Sequence, residues 1–182
     1  MQNIIKIFLS VILTVSISYS QGNSDYAIKQ KLLNYTNSIR AKGAVCAPPS
    51  AALKWNSNLE RAANAHVVDM AKNNFLEHIG SGGVYDIAGN AIGKQSNFMD
   101  RIKYFGFPFV VGNLLGENIA RVSTKYTKSN DVFINYKKAV KHWLEDPPHC
   151  KILMDKRFTD VGISYYKKNG ICYFVMDLGE IK

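Results

Sequence analysis

Four histidines and a few carboxylates are the side chains in this sequence whose types could do chemistry. His78 and His149 stand in turn-like settings, beside Gly80 and after Pro148, and a loop histidine is free to point into a cleft. Their acidic company is Glu77, Glu117 within Leu-Leu-Gly-Glu-Asn-Ile-Ala, and Glu145-Asp146 just before His149. Two imidazoles with two carboxylates suit a borderline divalent ion such as zinc, with coordination positions left open to water. Separations of about 30 to 40 residues carry no ligand-spacing signal of their own. The common catalytic frameworks are missing: no His-Glu-x-x-His, no Cys-x-x-Cys, no Gly-x-Ser-x-Gly and no phosphate-binding Gly-rich lysine loop occur.

The other candidates have plainer readings. His66 falls on the apolar stripe of an Ala-rich helix and is expected to be packed and hydrogen-bonded; His142 is expected to be exposed beside Lys141. Glu117 has two duties open to it, contact with an ion or ligand, or acceptance of hydrogen bonds from loop amides. Arg101 is expected to fix a loop carboxylate.

Positioning these residues falls to a series of helices and a terminal hairpin. After Ser24 or Asp25, Ile28, Leu32, Tyr35 and Ile39 mark one face of a helix to about Arg40, closed by Gly43. Ser57 or Asn58 starts the clearest periodic segment, Leu59, Ala62, Ala63, His66, Val67 and Met70. Gly80, Gly82, Gly83 and Gly89 mark a long loop, and Phe98, Ile102 and Phe105 a short helix ended by Gly106. Asn130 or Asp131 caps a further helix through Tyr136, Ala139, Val140, Trp143 and Leu144, which Pro147-Pro148 stops. Asn169-Gly170 is a type I′ hairpin pair. Pairing Lys168 with Ile171 sets Tyr165 opposite Phe174, Ile163 opposite Met176 and Val161 opposite Leu178 on one apolar face. Gly162, Ser164, Tyr166, Tyr173, Val175 and Asp177 take the other. Helices packed on an antiparallel sheet define an α+β class.

Length and composition fit this reading. Of 182 residues, 47% are apolar and 20% charged, enough for a core and too apolar for a disordered chain. At the N-terminus Lys6 precedes an apolar run, and Ser18-Tyr19-Ser20 places small residues before Gln21, so residues 1–20 read as a cleavable secretory signal, a retained anchor being the alternative. The remainder, 21–182, is expected to be one domain, exported to the periplasm or the extracellular space. There the three cysteines, Cys46, Cys150 and Cys172, allow one disulfide and one leftover thiol. The formal charge of +9 draws the protein toward anionic surfaces. Nine basic residues between Arg121 and Arg157 are interleaved with acids and lack an aromatic-basic RNA signature, so they read as a solvated helix face and no specific nucleic-acid partner is expected.

Several blocks together carry a family resemblance. They are Leu53-Lys-Trp-Asn through His66-x-x-Asp-Met to Phe75-Leu-Glu-His78, Arg101 with Gly106-Phe107, Gly116-Glu117-Asn118-Ile119-Ala120, and His142-Trp143-Leu-Glu-Asp-Pro-Pro-His149-Cys150. With the closing Phe158-Thr-Asp-Val-Gly162-Ile and Tyr173-Phe-Val-Met-Asp-Leu-Gly179, they resemble the CAP superfamily (cysteine-rich secretory, antigen 5 and pathogenesis-related 1 proteins; SCP domain), most of all its short bacterial members. The resemblance implies a three-layer α-β-α sandwich with a central antiparallel sheet and a cleft lined by two His and two acidic residues. Carried over, these are His78, Glu117 and His149. The fourth is Asp146, three positions after Trp143 where the family commonly has Glu, or Glu145 one position earlier. Pro148 stands where many members have Gly. The resemblance also implies a Cys46–Cys150 disulfide, with Cys172 left as a buried thiol.

The binding residues expected on this basis are His78, Glu117, Glu145, Asp146 and His149, the metal ligands His78 and His149 with Glu117 in reserve. The expected function is a monomeric, non-enzymatic binding module for a divalent metal, a small molecule, a lipid or a peptide. The alternatives are a zinc-dependent peptidase or esterase using the same cleft, and an envelope protein held to anionic surfaces. The hydrolase lacks a third firm zinc ligand, and Glu117 serves as ligand or as general base, not both.

Overall fold

The computed structural model describes residues 25–108, 110 and 112–181; the expected targeting segment, residues 1–20, lies outside them. No helix among the described residues is long and apolar enough to cross a membrane.

Helix α1 spans residues 25–42 and ends at Gly43, whose φ is +80°. After the short strand β1 (Lys54–Trp55) comes α2 (Ser57–Asn73), capped by Asn56 rather than by Ser57 or Asn58. The reason is tertiary: the Asn56 N–H donates to the Val161 carbonyl at 2.9 Å, which holds its backbone extended. Its side chain then accepts from the Asn58 and Leu59 amides. The Gly-rich loop contains a further helix, α3 (Ile87–Ile92), which the periodicity did not reveal because six residues are too few to establish one. Asp86 organises that loop by accepting from the amides of Gly82, Gly89 and Ser96 and from the Ser96 hydroxyl. Helix α4 (Phe98–Tyr104) starts on an Asn97–Asp100 capping box.

Strand β2 (Leu115–Ser123) leads through the short α5 (Thr124–Thr127) to α6 (Val132–Glu145), capped by Asp131. Pro147-Pro148 stops α6 as expected and also opens a new helix, α7 (Pro147–Met154). Proline suits a first helical turn, where its missing N–H would have had no partner. His149 therefore sits in the first turn of a helix, which corrects the expectation of a loop.

Strands β3 (Asp160–Lys168) and β4 (Ile171–Gly179) close the chain. At their turn Asn169 and Gly170 have φ of +50° and +73°, as a type I′ turn requires. The register is the expected one, Lys168 opposite Ile171 and Val161 opposite Leu178. The sheet order is β1-β3-β4-β2, antiparallel except for two parallel residue pairs between β1 and β3.

Helices α1, α6 and α7 cover one face, where Leu32, Tyr136, Trp143 and Leu153 pack with Ala120, Val122, Phe174 and Met176. Helix α2 covers the other, with Ala63, Val67 and Met70 against Ile119, Tyr173 and Val175. The two helical layers around the sheet make the α-β-α sandwich. Gly162 is where α2 comes closest to β3: a Cβ there would lie 2.0 Å from the Glu60 backbone nitrogen. The Cys46–Cys150 disulfide ties the loop after α1 to α7 across 104 residues. On the chain-entropy account a loop of that length stabilises by about 4 to 5 kcal/mol. Cys172 is buried, which pushes its thiol up to about 12.

Candidate functional site

The strand alternation of β2 puts Glu117 on the α2 side of the sheet, directly across from Asp177 of β4. Helix α4 delivers Arg101, whose Nη2 donates to Glu117 Oε2 at 2.7 Å. Both side chains are 1% exposed. The same nitrogen donates to the His78 carbonyl at 3.0 Å, and Nη1 reaches the Ser96 carbonyl and hydroxyl. Arg101 thus holds a strand carboxylate and the backbone of the His78 loop together, a correction to its expected role with a loop carboxylate. Glu117 likewise holds side chains, not the loop amides that were one of its possible duties.

The second oxygen of Glu117 meets His78 Nδ1 at 2.7 Å. Burial pushes the Glu117 carboxyl up, but the Arg101 charge and the His78 hydrogen bond outweigh it and hold the group below its ordinary value. An ionised Glu117 only accepts, so His78 donates from Nδ1 and Nε2 is left as its other ring nitrogen. His149 repeats the arrangement with Asp146, which contacts its Nδ1 from the end of α6. Asn118 Nδ2 holds the His149 carbonyl at 3.0 Å. The two imidazoles stack with centroids 6.3 Å apart and planes 24° from parallel. Among the described residues no hydrogen bond occupies Nε2 of either ring.

These rings border a cavity of about 690 Å³ whose walls include Phe98, Leu114, Leu115, Ile152 and Phe158, with Lys151, Asp155 and Arg157 also in the lining. Of the five residues expected to bind, His78, Glu117 and His149 line this cavity and Asp146 supports it through His149. Glu145 does not join them. Its carboxylate lies 3.5 Å from Lys141 and 4.0 Å from His142 on the exposed face of α6, because one helical residue earlier means a different side of the helix. Glu77 contributes only its carbonyl, to His66 Nε2 at 2.8 Å. His66 is buried as expected, burial with the Arg101 charge lowers its pKa, and its Nδ1 has no partner among the described residues.

Asp177 was missed. It is fully buried, neither of its oxygens finds a donor among the described residues, and burial and the Glu117 charge raise its pKa well above the ordinary value. When protonated it can itself donate to Glu117. An acid at an inward position of an otherwise apolar strand was the available signal.

Metal fit follows from the donors. Among the described residues no three His, Cys, Asp or Glu side chains come together as a metal-holding group. What the geometry offers is two imidazole Nε2 atoms, each ring fixed at Nδ1 by a carboxylate, the usual outer support of a metal-bound histidine.

The sequence matches the cysteine-rich secretory protein (CAP) family over residues 33–178. The chain belongs to the CAP family. This CAP-family chain is 26% identical over 147 residues to the uncharacterized membrane protein YlbC of Bacillus subtilis (strain 168), covering 79% of the chain and only 34% of YlbC. Its fold is that of an extracellular protein containing an SCP domain from Bacillus anthracis str. Ames, with a TM-score of 0.61, 22% identity, and coverage of 84% of this chain and 40% of that one. An outer surface protein of Borrelia burgdorferi shares the fold with a TM-score of 0.59 and 19% identity, over 85% of this chain and 92% of its own. The chain thus spans about a third of the curated relative and two fifths of the Bacillus anthracis protein.

Proposed function

We propose that this CAP-domain protein is an exported, non-enzymatic binding module. Its cleft takes a divalent ion such as zinc through Nε2 of His78 and His149, and a small or lipid-like ligand in the adjoining cavity. The observation that carries this reading is the pairing of each Nδ1 with a carboxylate, which leaves Nε2 of two rings lining a largely apolar cavity without a hydrogen-bond partner among the described residues. A bound ion would supply Lewis acidity toward an oxygen of the ligand. Glu117 and Asp146 orient the ligating rings, and Arg101 keeps Glu117 charged.

The same geometry weighs against hydrolysis. Both Glu117 oxygens are engaged, one by Arg101 and one by His78, so this carboxylate is poorly placed to take a proton from water. Two imidazoles are also one ligand short of the three that catalytic zinc sites use. Export draws support from the extracellular Bacillus anthracis protein and the Borrelia burgdorferi outer surface protein of like fold.

Calorimetric titration with zinc tests the reading. Zinc binding is expected in the wild type and lost in the His78→Ala, His149→Ala double variant, and equal affinity in the two refutes the site. A peptide and ester screen with added zinc tests the other half: turnover above about 1 per second that vanishes in His78→Ala with the fold retained replaces the binding module with an enzyme.

A further inference from the structure

The excess positive charge of the chain is not spread evenly over its surface. At the outer end of β2, an edge strand, Arg121 meets Lys138 and His142 of α6 around a cavity of about 570 Å³, with Tyr126 of α5 in the same wall. A second cavity of about 500 Å³ adjoins it, sharing Ser123 and Ile171, and is lined by Lys125 and Lys128. Lys167 brings a further ammonium to the Asn130 carbonyl at its margin, at 3.2 Å.

Neither cavity has an acidic lining residue. The nearby acids are committed elsewhere: Asp131 caps α6, and Glu145 pairs with Lys141, with His142 at 4.0 Å. Arg121, Lys125, Lys128 and Lys138 make no ion pair among the described residues. In sequence these residues read as a solvated helix face. In the fold, three of the cations come from β2, α5 and the end of α5, and they meet α6 around a depression made of the two adjoining cavities.

We propose that this depression is a binding groove for a flexible, linear phosphate polymer, whose repeated anions would be met in turn by Arg121 and Lys138, then by Lys125 and Lys128. The proposal is independent of the His78–His149 cleft. Cations on successive walls of a groove fit charges repeated along a chain better than a single anion, and release of counterions supplies the affinity. Concavity favours a chain over a bilayer, which needs a flat or protruding apolar-basic face. Tyr126 and the His142 imidazole are the aromatic side chains lining the first cavity and the second has none in its lining, so no row of stacking platforms for successive nucleic-acid bases runs along the groove.

The test is fluorescence anisotropy with labelled inorganic polyphosphate and the purified protein across a salt series. The Arg121→Gln, Lys138→Gln pair and the Lys125→Gln, Lys128→Gln pair are each expected to weaken binding about tenfold or more and to flatten the salt dependence. The charge-matched control Lys54→Gln, Lys103→Gln, at two exposed lysines away from the groove, is expected to change affinity less than about threefold. His78→Ala, His149→Ala is expected to leave polyphosphate binding unchanged, which separates this result from failure of the cleft reading. The proposal is overturned if polyphosphate does not bind, if the control pair loses as much as the groove pairs, or if orthophosphate competes as well as the polymer. Tighter, groove-dependent binding to phosphatidylglycerol vesicles than to polyphosphate also overturns it, in favour of a membrane surface.

Discussion

On the α1–α6–α7 face of the sheet, Ala120, Val122, Cys172, Phe174, Met176 and Leu178 pack against Tyr136 and Trp143, and most polar atoms carried in with them are paired, although Arg40 Nη2 and Asn118 Oδ1 find no partner among the described residues. The Tyr136 hydroxyl pairs with Thr36 at 2.7 Å, and Trp143 Nε1 donates to the Ile119 carbonyl at 2.7 Å. On the α2–α4 face, two residues along the same strands, Glu117 and Asp177 lie buried with Arg101 and His66 beside them. There Arg101 Nε, His66 Nδ1 and both Asp177 oxygens lack partners among the described residues. The first face is mainly apolar, with a disulfide fastened behind it and the buried Arg40 held by the Ala51, Leu153 and Asp155 carbonyls; the second gathers several buried ionisable groups, which cost stability unless every group is paired. The second face fixes His78 in the cleft, to which α7 brings His149 and Ile152 from the first.

That contrast can be broken most forcefully at its centre. Glu117→Ala leaves the Arg101 guanidinium buried and unpaired and is expected to cost about 3 to 5 kcal/mol in urea unfolding. Phe174→Ala on the apolar face is expected to cost a similar amount, about 3 to 5 kcal/mol, through the cavity it leaves. A second substitution separates them. Adding Arg101→Met to a Glu117→Leu chain is expected to recover much of the loss, because an apolar pair replaces an ion pair. If the double variant is as unstable as the sum of its singles, the two residues are not coupled as described.

A smaller and pH-dependent effect is expected at Asp177. Its folded pKa is raised, so its favourable contribution is complete below the unfolded carboxyl value of about 3.9 and is lost as pH rises toward the folded value. Asp177→Asn keeps a donor toward Glu117 and removes that dependence. The variant is expected to match the wild type near pH 4 and to gain on it by up to about 1.4 kcal/mol per pH unit above that. Glu117 and His66 have the opposite sign. Both are lowered, so their contributions are present above about 4.3 and 6.5 and fade as pH falls through the folded values in both proteins. A difference between the variant and the wild type that stays flat from pH 4 to 8 would mean Asp177 is charged in the fold.

The smallest stability effect is expected at Asp146, half exposed at the junction of α6 and α7. Asp146→Ala is expected to shift stability by less than about 1 kcal/mol while weakening zinc binding about 10- to 100-fold through the loss of His149 orientation. Glu145→Ala, one residue away on the exposed face, is expected to leave zinc affinity unchanged, and a loss there would contradict the assignment of the two carboxylates.

Local signals determined much of this architecture. The Asn169-Gly170 turn and the alternation around it set the β3–β4 register residue by residue, since both turn positions take positive φ and a one-residue slip would expose the apolar face. The stripes Leu59 to Met70 and Tyr136 to Leu144 set α2 and α6 for the same kind of reason, a spacing that only one periodicity satisfies. The blocks around His78, Glu117 and His149 pointed to the family. The tertiary structure alone decided what depends on orientation and on contacts between distant segments. It assigned Asp146 rather than Glu145 to His149, because adjacent residues at a helix end point in different directions. It turned Arg101 onto Glu117 and set Asp177 beneath that carboxylate, through strand pairing and helix packing that no local pattern encodes. It made the diproline both a stop and a start, and it gathered Arg121, Lys138 and His142 around one cavity, because residues far apart in sequence become neighbours only when the helices close on the sheet.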